Sequence, residues 1–428
     1  DYAQGITLAE KWVKQQNVSR QEDIYPLVYY YIAYGYQNLH RKENTEQANC
    51  YMTMYVTLGE NAAADGCFPH RTEDYIVLKS LAEEYHLAMA YYYLGCLLYD
   101  RRVYDESIED YEESILRSPD FPTVHRNLAL AYYNVKKLPQ RAYEEMEKAF
   151  ALDETDARVY LELDQLKKRL NVAVKERWSD MEKHFDLVES RDDLYLEYVT
   201  LLNTLGEPEK ALGLIKARKF HQWEGGEGKV AAQYLTALYQ LAKAAVEKED
   251  YAEAKELLLR AVGEYPHNLG EGKLESGQEN NLYYLLGLVQ EKLGEAKDAF
   301  ESLTRACCGE SEPVGMMYYN DQPPEMIYYQ GLAYRMLGEE EQAVQRFCKL
   351  VDYGKEHIGD EIKIDYFAVS LPDLLIFEEN LNERNRKHCL FMMSLGLRGL
   401  GQTDEAKACA EELLSMDNAH QGIRVHDL

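Results

Sequence analysis

Large apolar and small residues recur along the chain at a spacing too long for one helix face. One segment sets the frame: Tyr91, Tyr92, Tyr93, Leu94 and Gly95, then Tyr99, Ser107, Tyr111, Ser114 and Pro119. With Gly95 as position 8 of a 34-residue unit, these fall at positions 4 to 8, 12, 20, 24, 27 and 32. The spacing predicts two helices per unit. Small residues at 8, 20 and 27 let the helices approach, and large ones at 4, 7, 11 and 24 fill the seam between them. Proline at 32 ends the second helix, because its ring blocks a further turn. The frame returns at Leu128-Ala129, Tyr132, Ala142, Met146 and Ala149, then at Leu241-Ala242, Ala254, Leu258, Ala261 and Pro266. It returns again at Tyr283, Leu286-Gly287, Ala299, Leu303 and Ala306, and at Gly331, Tyr334, Ala343 and Phe347. Weaker copies are Tyr195/Tyr198 with Ala211, Leu390/Ser394 with Ala406 and Leu413, and Tyr29 to Met52 with Ala48 at position 20. An off-consensus helical pair containing Trp178 lies between Asp156 and Ser190. Turns are marked by Leu205-Gly206-Glu207, Leu293-Gly294-Glu295, Leu337-Gly338-Glu339 and Gly399-Leu400-Gly401.

This unit resembles the tetratricopeptide repeat. The resemblance implies an all-α, right-handed superhelical solenoid of about eight or nine helix pairs with long inter-repeat loops. Five segments are expected: 1–87, degenerate repeat-like helices; 88–155, two repeat units; 156–218, divergent pairs; 219–357, units with Gly-rich loops; and 358–428, an insertion and a capping unit. Ile362 to Val369 is the one stretch that reads as a possible short extended piece.

Four inter-repeat segments exceed what the pattern needs: Lys219–Val230, Gly263–Asn280, Gly309–Glu325 and Gly354–Lys387. Long loops often carry function. Two share a submotif, His221 before Gly226-Glu227-Gly228-Lys229 and His267 before Gly270-Glu271-Gly272-Lys273, placed 44 residues apart on successive units. A phosphate-binding loop needs Ser or Thr after the lysine and a strand before it, and Val230 and Leu274 stand there instead. Two readings stay open: Glu and Lys cap adjoining helix ends, or the loops form a ligand-facing edge with His221, Trp223, Glu227, Lys229, His267, Glu271 and Lys273. Asn320 and Asp321, beside Tyr318-Tyr319 and Pro323-Pro324, form a third candidate polar loop site. The strings FHQWEGGEGK, YPHNLGEGKL, MYYNDQPPEM and KIDYFAVSLPD resemble the repeat-rich C-terminal half of large bacterial proteins. Those carry an N-terminal mutarotase-like β region and are known only as a domain of unknown function. The resemblance implies one half of a longer polypeptide, consistent with a start at Asp1, and a carbohydrate context.

In this repeat the first helix of each pair lines the concave groove through positions 2, 5, 9 and 12. Position 5 reads Tyr92, Arg126, Leu196, Tyr239, Tyr284, Tyr328 and Phe391; positions 9 and 12 add Lys243, Tyr99, Tyr133, Glu291, Arg335 and Arg398. Tyrosine presents a flat apolar face and one hydroxyl, suited to peptides and sugars alike. Groove-lining is the expectation for this stripe, with inward packing as the alternative, since one residue of phase would turn it into the core. The Lys-at-5, Asn-at-9 pair that grips an acidic chaperone tail occurs in no unit.

Composition narrows the partners. With 47 basic and 75 acidic residues the net charge is −28, which repels nucleic-acid phosphates and an anionic membrane surface. A hydrophobic share of 46% excludes disorder. Eight cysteines without a CxxC pair, Cys307-Cys308 included, read as reduced core thiols. No metal, cofactor or catalytic motif is expected: HExxH and GxSxG are absent, and His388-Cys389 diverge on one helix. The expected function is a non-catalytic, cytoplasmic scaffold that binds a protein, or its own N-terminal domain, by the Tyr groove and loop edge. The alternative is an accessory half of a carbohydrate-active enzyme that contacts saccharide through the same residues.

Overall fold

In a computed structural model, all residues are described except 17, 19, 44, 45, 224, 274–276, 316–320, 364–375, 427 and 428, and the side chains of 42 and 43. The described residues form 22 α-helices and no strand, an all-α repeat solenoid. Most of Ile362–Val369 lies outside the described residues, as do Tyr318, Tyr319 and Asn320.

The chain divides into two compact units, Asp1–Leu163 and Asp164–Leu428. The first unit holds α1 (Tyr2–Gln15), α2 (Pro26–Glu43), α3 (Glu46–Asn61), α4 (Thr72–Tyr85), α5 (Ala88–Asp100), α6 (Tyr104–Arg117), α7 (Pro122–Asn134) and α8 (Pro139–Leu152). Helix α9 (Ala157–Arg169) carries the division. The second unit begins with α10 (Val174–Lys183), α11 (Phe185–Ser190), α12 (Asp192–Thr204), α13 (Pro208–Ala217), α14 (Lys229–Glu247) and α15 (Tyr251–Ala261). It continues with α16 (Asn280–Lys292), α17 (Ala296–Ala306), α18 (Pro324–Met336), α19 (Glu340–His357), α20 (Leu381–Gly399), α21 (Thr403–Met416) and the short α22 (Gln421–Val425). Sequential pairs pack on one another: α2 with α3, α5 with α6, α7 with α8, α12 with α13, α14 with α15, α16 with α17, α18 with α19, and α20 with α21.

The repeat arithmetic is visible in the seams. A Cβ on Gly95, at position 8, would sit 2.5 Å from the Tyr111 ring at position 24. The same conflict arises between Gly331 and Phe347 at 2.5 Å and between Gly287 and Leu303 at 2.7 Å. Position 8 is therefore small because position 24 is large and buried. At position 20, Ser107, Ala142, Ala254, Ala299 and Ala343 are all buried. The turns use glycine in the left-handed region, Gly206 at φ +77° and Gly338 at φ +81°, where a side chain would be strained.

The position-4 tyrosines share a device. The guanidinium of Arg117 lies 4.7 Å from the Tyr91 ring, Arg218 lies 4.5 Å from Tyr195, and Arg305 lies 5.2 Å from Tyr283. Each arginine comes from the end of the second helix, so one cation covers each seam tyrosine where it meets solvent. The thiols are all free, but Cys50 and Cys308 are exposed, which corrects the expectation of a wholly core set. Cys50 sits on an outward-facing position of α3, and Cys308 lies just beyond the end of α17. No helix among the described residues is long and apolar enough to cross a membrane.

Candidate interaction surface

The first helices of successive pairs in the second unit, α12, α14, α16, α18 and α20, are neighbours along one face. Their exposed rows are where a ligand would be expected. Part of that face is already filled by the chain's own C-terminal segment, which turns back after α21 and lays α22 across it. Ile423 and Val425 are buried there at 2% and 6% exposure. The amides of Gln233 on α14 and Gln421 pair at 3.0 and 3.1 Å, and Asn203 on α12 donates to both the carbonyl and the side chain of Gln233. Lys243 Nζ, two turns and more along α14, donates to the Val425 carbonyl at 2.9 Å. Tyr329 on α18 shares hydrogen bonds with Tyr239 at 2.6 Å and with His426 Nδ1 at 2.9 Å. Phe391 on α20 meets the His420 ring edge-on at 4.9 Å, and its ring would collide with a Cβ on Gly422 at 2.6 Å. Four first helices therefore hold one seven-residue segment.

The buried His426 and the half-buried His388 and His420 gather around this contact. Burial pushes His426 down to about 3, with Lys243 and His420 adding to the effect. Burial also lowers His388 and His420. At neutral pH these imidazoles are uncharged, so they add no ion pair, and the segment is held by hydrogen bonds, one of them from the Lys243 ammonium, and by apolar contact.

The expected groove residues divide by this geometry. Tyr239 is 4% exposed, with its face covered by Tyr329 and His426. Tyr92, set edge-on against Phe121, and Tyr328, against Phe347, are buried too. Only Tyr284 of the four position-5 tyrosines is half-buried, beside Tyr329. The Tyr stripe is thus corrected: at Tyr92, Tyr239 and Tyr328 the aromatic face is committed to packing, because a neighbouring ring or the C-terminal segment covers it. Tyr99 and Tyr133 are half-buried. Arg126 is engaged in a two-pronged pair with the fully buried Glu162, both contacts at 2.7 Å. Arg335 grips Glu340 and donates to the Gly399 carbonyl at 2.9 Å, tying α18 to the ends of its neighbours. Lys243 meets a main-chain carbonyl, as a peptide-gripping lysine would.

The two Gly-Glu-Gly-Lys loops stack. Phe220 N donates to the Asn268 carbonyl at 2.9 Å, and a Cβ on Gly270 would lie 2.8 Å from the Phe220 carbonyl oxygen. Glu271 accepts from Gly228 N at 2.7 Å and Ala231 N at 2.8 Å, so the second loop caps the start of α14. Lys273 donates to the Val262 carbonyl at the end of α15 and pairs with Glu279. His221 is exposed, with its main chain and ring on Asp192 at 2.8 and 3.2 Å. Trp223 lies over Gly226, where any Cβ would meet the indole at 2.2 Å. Glu227, Lys229 and His267 face solvent, and Asp321 is half-buried. Among the described residues no three His, Cys, Asp or Glu side chains are placed to hold a metal.

The first unit carries a feature without a sequence motif. A cleft of about 800 Å³ opens between α1, α2 and α4, lined by Tyr2, Trp12, Tyr31, Tyr34, Asp74 and Ile76 among others. Asp74, 3% exposed, closes its floor by accepting from Tyr31 Oη at 2.8 Å and from the amides of His70 and Arg71 at 2.9 Å. The signal for it was the Tyr-rich run of α2 read against Asp74.

Family models described as tetratricopeptide repeat match residues 92–157 and 239–313, and a further one matches 388–420. The chain therefore carries tetratricopeptide repeats in both units. Among solved structures it is similar to PilW, described as a widely conserved type IV pilus biogenesis factor, at 12% identity and TM-score 0.32, over 58% of this chain and 98% of that one. It is similar to YrrB, described as a TPR protein with an unusual peptide-binding site, at 17% identity and TM-score 0.20, over 57% and 97%. A human IFIT1 dimer with PPP-AAAA matches over 97% and 95% at 12% identity and TM-score 0.31. What each of these binds is a property of that protein.

Proposed function

We propose that the chain is a non-catalytic protein-binding scaffold whose recognition face is the first-helix side of residues 164–428, taking a short peptide segment. The observation that carries this reading is the segment already there: Ile423 and Val425 buried, a glutamine matched by Gln233, and a main-chain carbonyl on Lys243. A face that satisfies a peptide's backbone carbonyl and three of its side chains has the chemistry of peptide recognition. Tetratricopeptide repeats in both units support a scaffold. The saccharide reading has no comparable support, since three of the four position-5 tyrosines lack an open face. The net charge of −28 weighs against a phosphate-rich partner.

The test is a random peptide display screen against the full chain. Enriched peptides should lose at least tenfold in affinity when Gln233→Ala or Lys243→Ala is introduced. No enrichment, or binding that depends only on substitutions within 1–163, overturns the reading.

A further inference from the structure

Resting on that reading, we infer that residues 420–426 are a displaceable internal ligand that occupies the recognition face until a partner with the same chemistry replaces it. The segment does not look like a permanent strut. Its helix has five residues, Gln421 to Val425, and only two aliphatic side chains, Ile423 and Val425, enter the face. The remaining grip is three hydrogen-bonded contacts, Gln421 to Gln233, Val425 to Lys243 and His426 to Tyr329, with the His420 edge on Phe391 and the His426 ring against Tyr239, Tyr329 and Phe391. So few contacts offset the ordering of seven residues only narrowly, and such a segment opens more readily than the helix pairs that flank it. Tethering then does what affinity does not. A segment attached a few residues from its site competes at an effective concentration of about a millimolar.

The occupant defines the partner. Gln421, Ile423 and Val425 alternate, with Gly422 forced by the Phe391 ring and Arg424 exposed between them. A competing segment would present an amide side chain, then a β-branched aliphatic two residues on, then another two residues after that. A glycine or other very small residue would follow the amide. Its main-chain carbonyl would meet Lys243, and its local charge would be neutral or basic, since the chain itself carries −28.

The probe is a fluorescein-labelled synthetic peptide matching Asn418–Leu428, titrated against the full chain. Wild type should bind it at least tenfold more weakly than a full-length Ile423→Asp variant, whose own segment is excluded from the apolar site. Adding Lys243→Ala to that variant should remove at least tenfold of the gained affinity. If Ile423→Asp is folded by circular dichroism and binds no better than wild type, the inference is overturned. Hydrogen exchange on the unaltered chain gives an independent reading in case the variant fails to fold. The amides of 423–426 should exchange far faster than those inside α20, and equal protection would make the segment a fixed strut. A wild-type dimer that Ile423→Asp abolishes would place the segment on a second copy, which also overturns an internal ligand. The two proposals fail separately. A display partner that binds wild type and Ile423→Asp equally keeps the scaffold and removes the internal ligand. Gain of the labelled peptide with no display partner does the reverse.

Discussion

Asn171 and Asn418, 247 residues apart, bond to each other's main chain. Asn418 Nδ2 donates to the Asn171 carbonyl at 2.6 Å, and Asn418 N donates to Asn171 Oδ1 at 2.8 Å. Asn171 Nδ2 also donates to the Ser415 carbonyl, so one side chain ties the turn after α9 to the turn that starts the C-terminal segment.

Asn171 sits at φ +58°, in the left-handed region. Asn171→Ala loses both side-chain bonds and places a Cβ where it is strained, while Asn171→Gly loses the bonds alone. Alanine should destabilise the second unit by about 2–3 kcal/mol and glycine by about 1 kcal/mol less than that. Urea unfolding of both variants measures the gap. Equal losses would show that the backbone conformation contributes nothing.

The seam arithmetic makes a sharper contrast. Gly95→Ala drives a methyl into the Tyr111 ring, which is 2% exposed and has nowhere to swing, and should cost about 1–3 kcal/mol. Gly213→Ala, also inside a helix, meets nothing within 4 Å and should stabilise by about 0.5–1 kcal/mol. Opposite signs in thermal melts are the expected result.

These seams were legible in the sequence because each depends on residues fewer than 30 apart in one repeating frame. Gly95 and Tyr111, or Gly331 and Phe347, can be paired on paper. The covering of this face by the C-terminal segment was not legible, because the residues that meet across it are remote in the chain. Lys243, which the repeat frame does place on the groove side, is 182 residues from Val425, and Tyr329 is 97 from His426. That also explains the Tyr stripe. Tyr239 does stand on a first helix at position 5, but Tyr329 and the returning segment bury it. The unusual number of tyrosines has a further cause that spacing alone did not reveal. Many of their hydroxyls are bound by carboxylates from neighbouring helices: Tyr30 by Glu60, Tyr31 by Asp74, Tyr36 and Tyr55 by Glu10, and Tyr132 by Glu112. The Tyr-rich and acid-rich compositions are thus partly one feature, since a buried ring needs an acceptor for its hydroxyl.

Acid should loosen the C-terminal segment. His426 is held at about 3 in the folded chain, against about 6.5 when unfolded. Its folded pKa is depressed, so its share of stability is complete above pH 6.5 and is lost as pH falls toward 3. In that window the unfolded chain takes up a proton that the folded chain refuses. The groups facing the ring are Lys243 and Tyr239 on α14, Tyr329 on α18, Phe391 on α20 and, within the segment, His420. None is a carboxylate that would welcome the charge. Wild type should therefore lose about 1.4 kcal/mol per pH unit below 6.5 relative to His426→Gln, roughly 2 kcal/mol by pH 5. Parallel denaturation of the two proteins between pH 7 and 4.5 measures it, and identical slopes would mean that the ring is already hydrated.

The paired loops separate a capping role from a ligand role by substitution of equivalent glutamates. Glu271 accepts two amides at the start of α14, and Glu271→Ala leaves Gly228 N and Ala231 N without that acceptor. The cost should be about 1 kcal/mol, within the range of a lost helix cap. Glu271→Gln keeps one acceptor oxygen but surrenders the charge that favours a helix N-terminus, and should fall between the two. Glu227 holds the matching position in the first loop and is exposed. Glu227→Ala should therefore change stability by less than about 0.5 kcal/mol. If the order is reversed, or if both substitutions are neutral to stability yet alter peptide binding, the Gly-Glu-Gly-Lys motif serves a ligand and not the helix ends. The same measurements place the second loop's lysine. Lys273 meets the Val262 carbonyl at the end of α15, so Lys273→Met should cost stability where Lys229→Met, on an exposed position, does not.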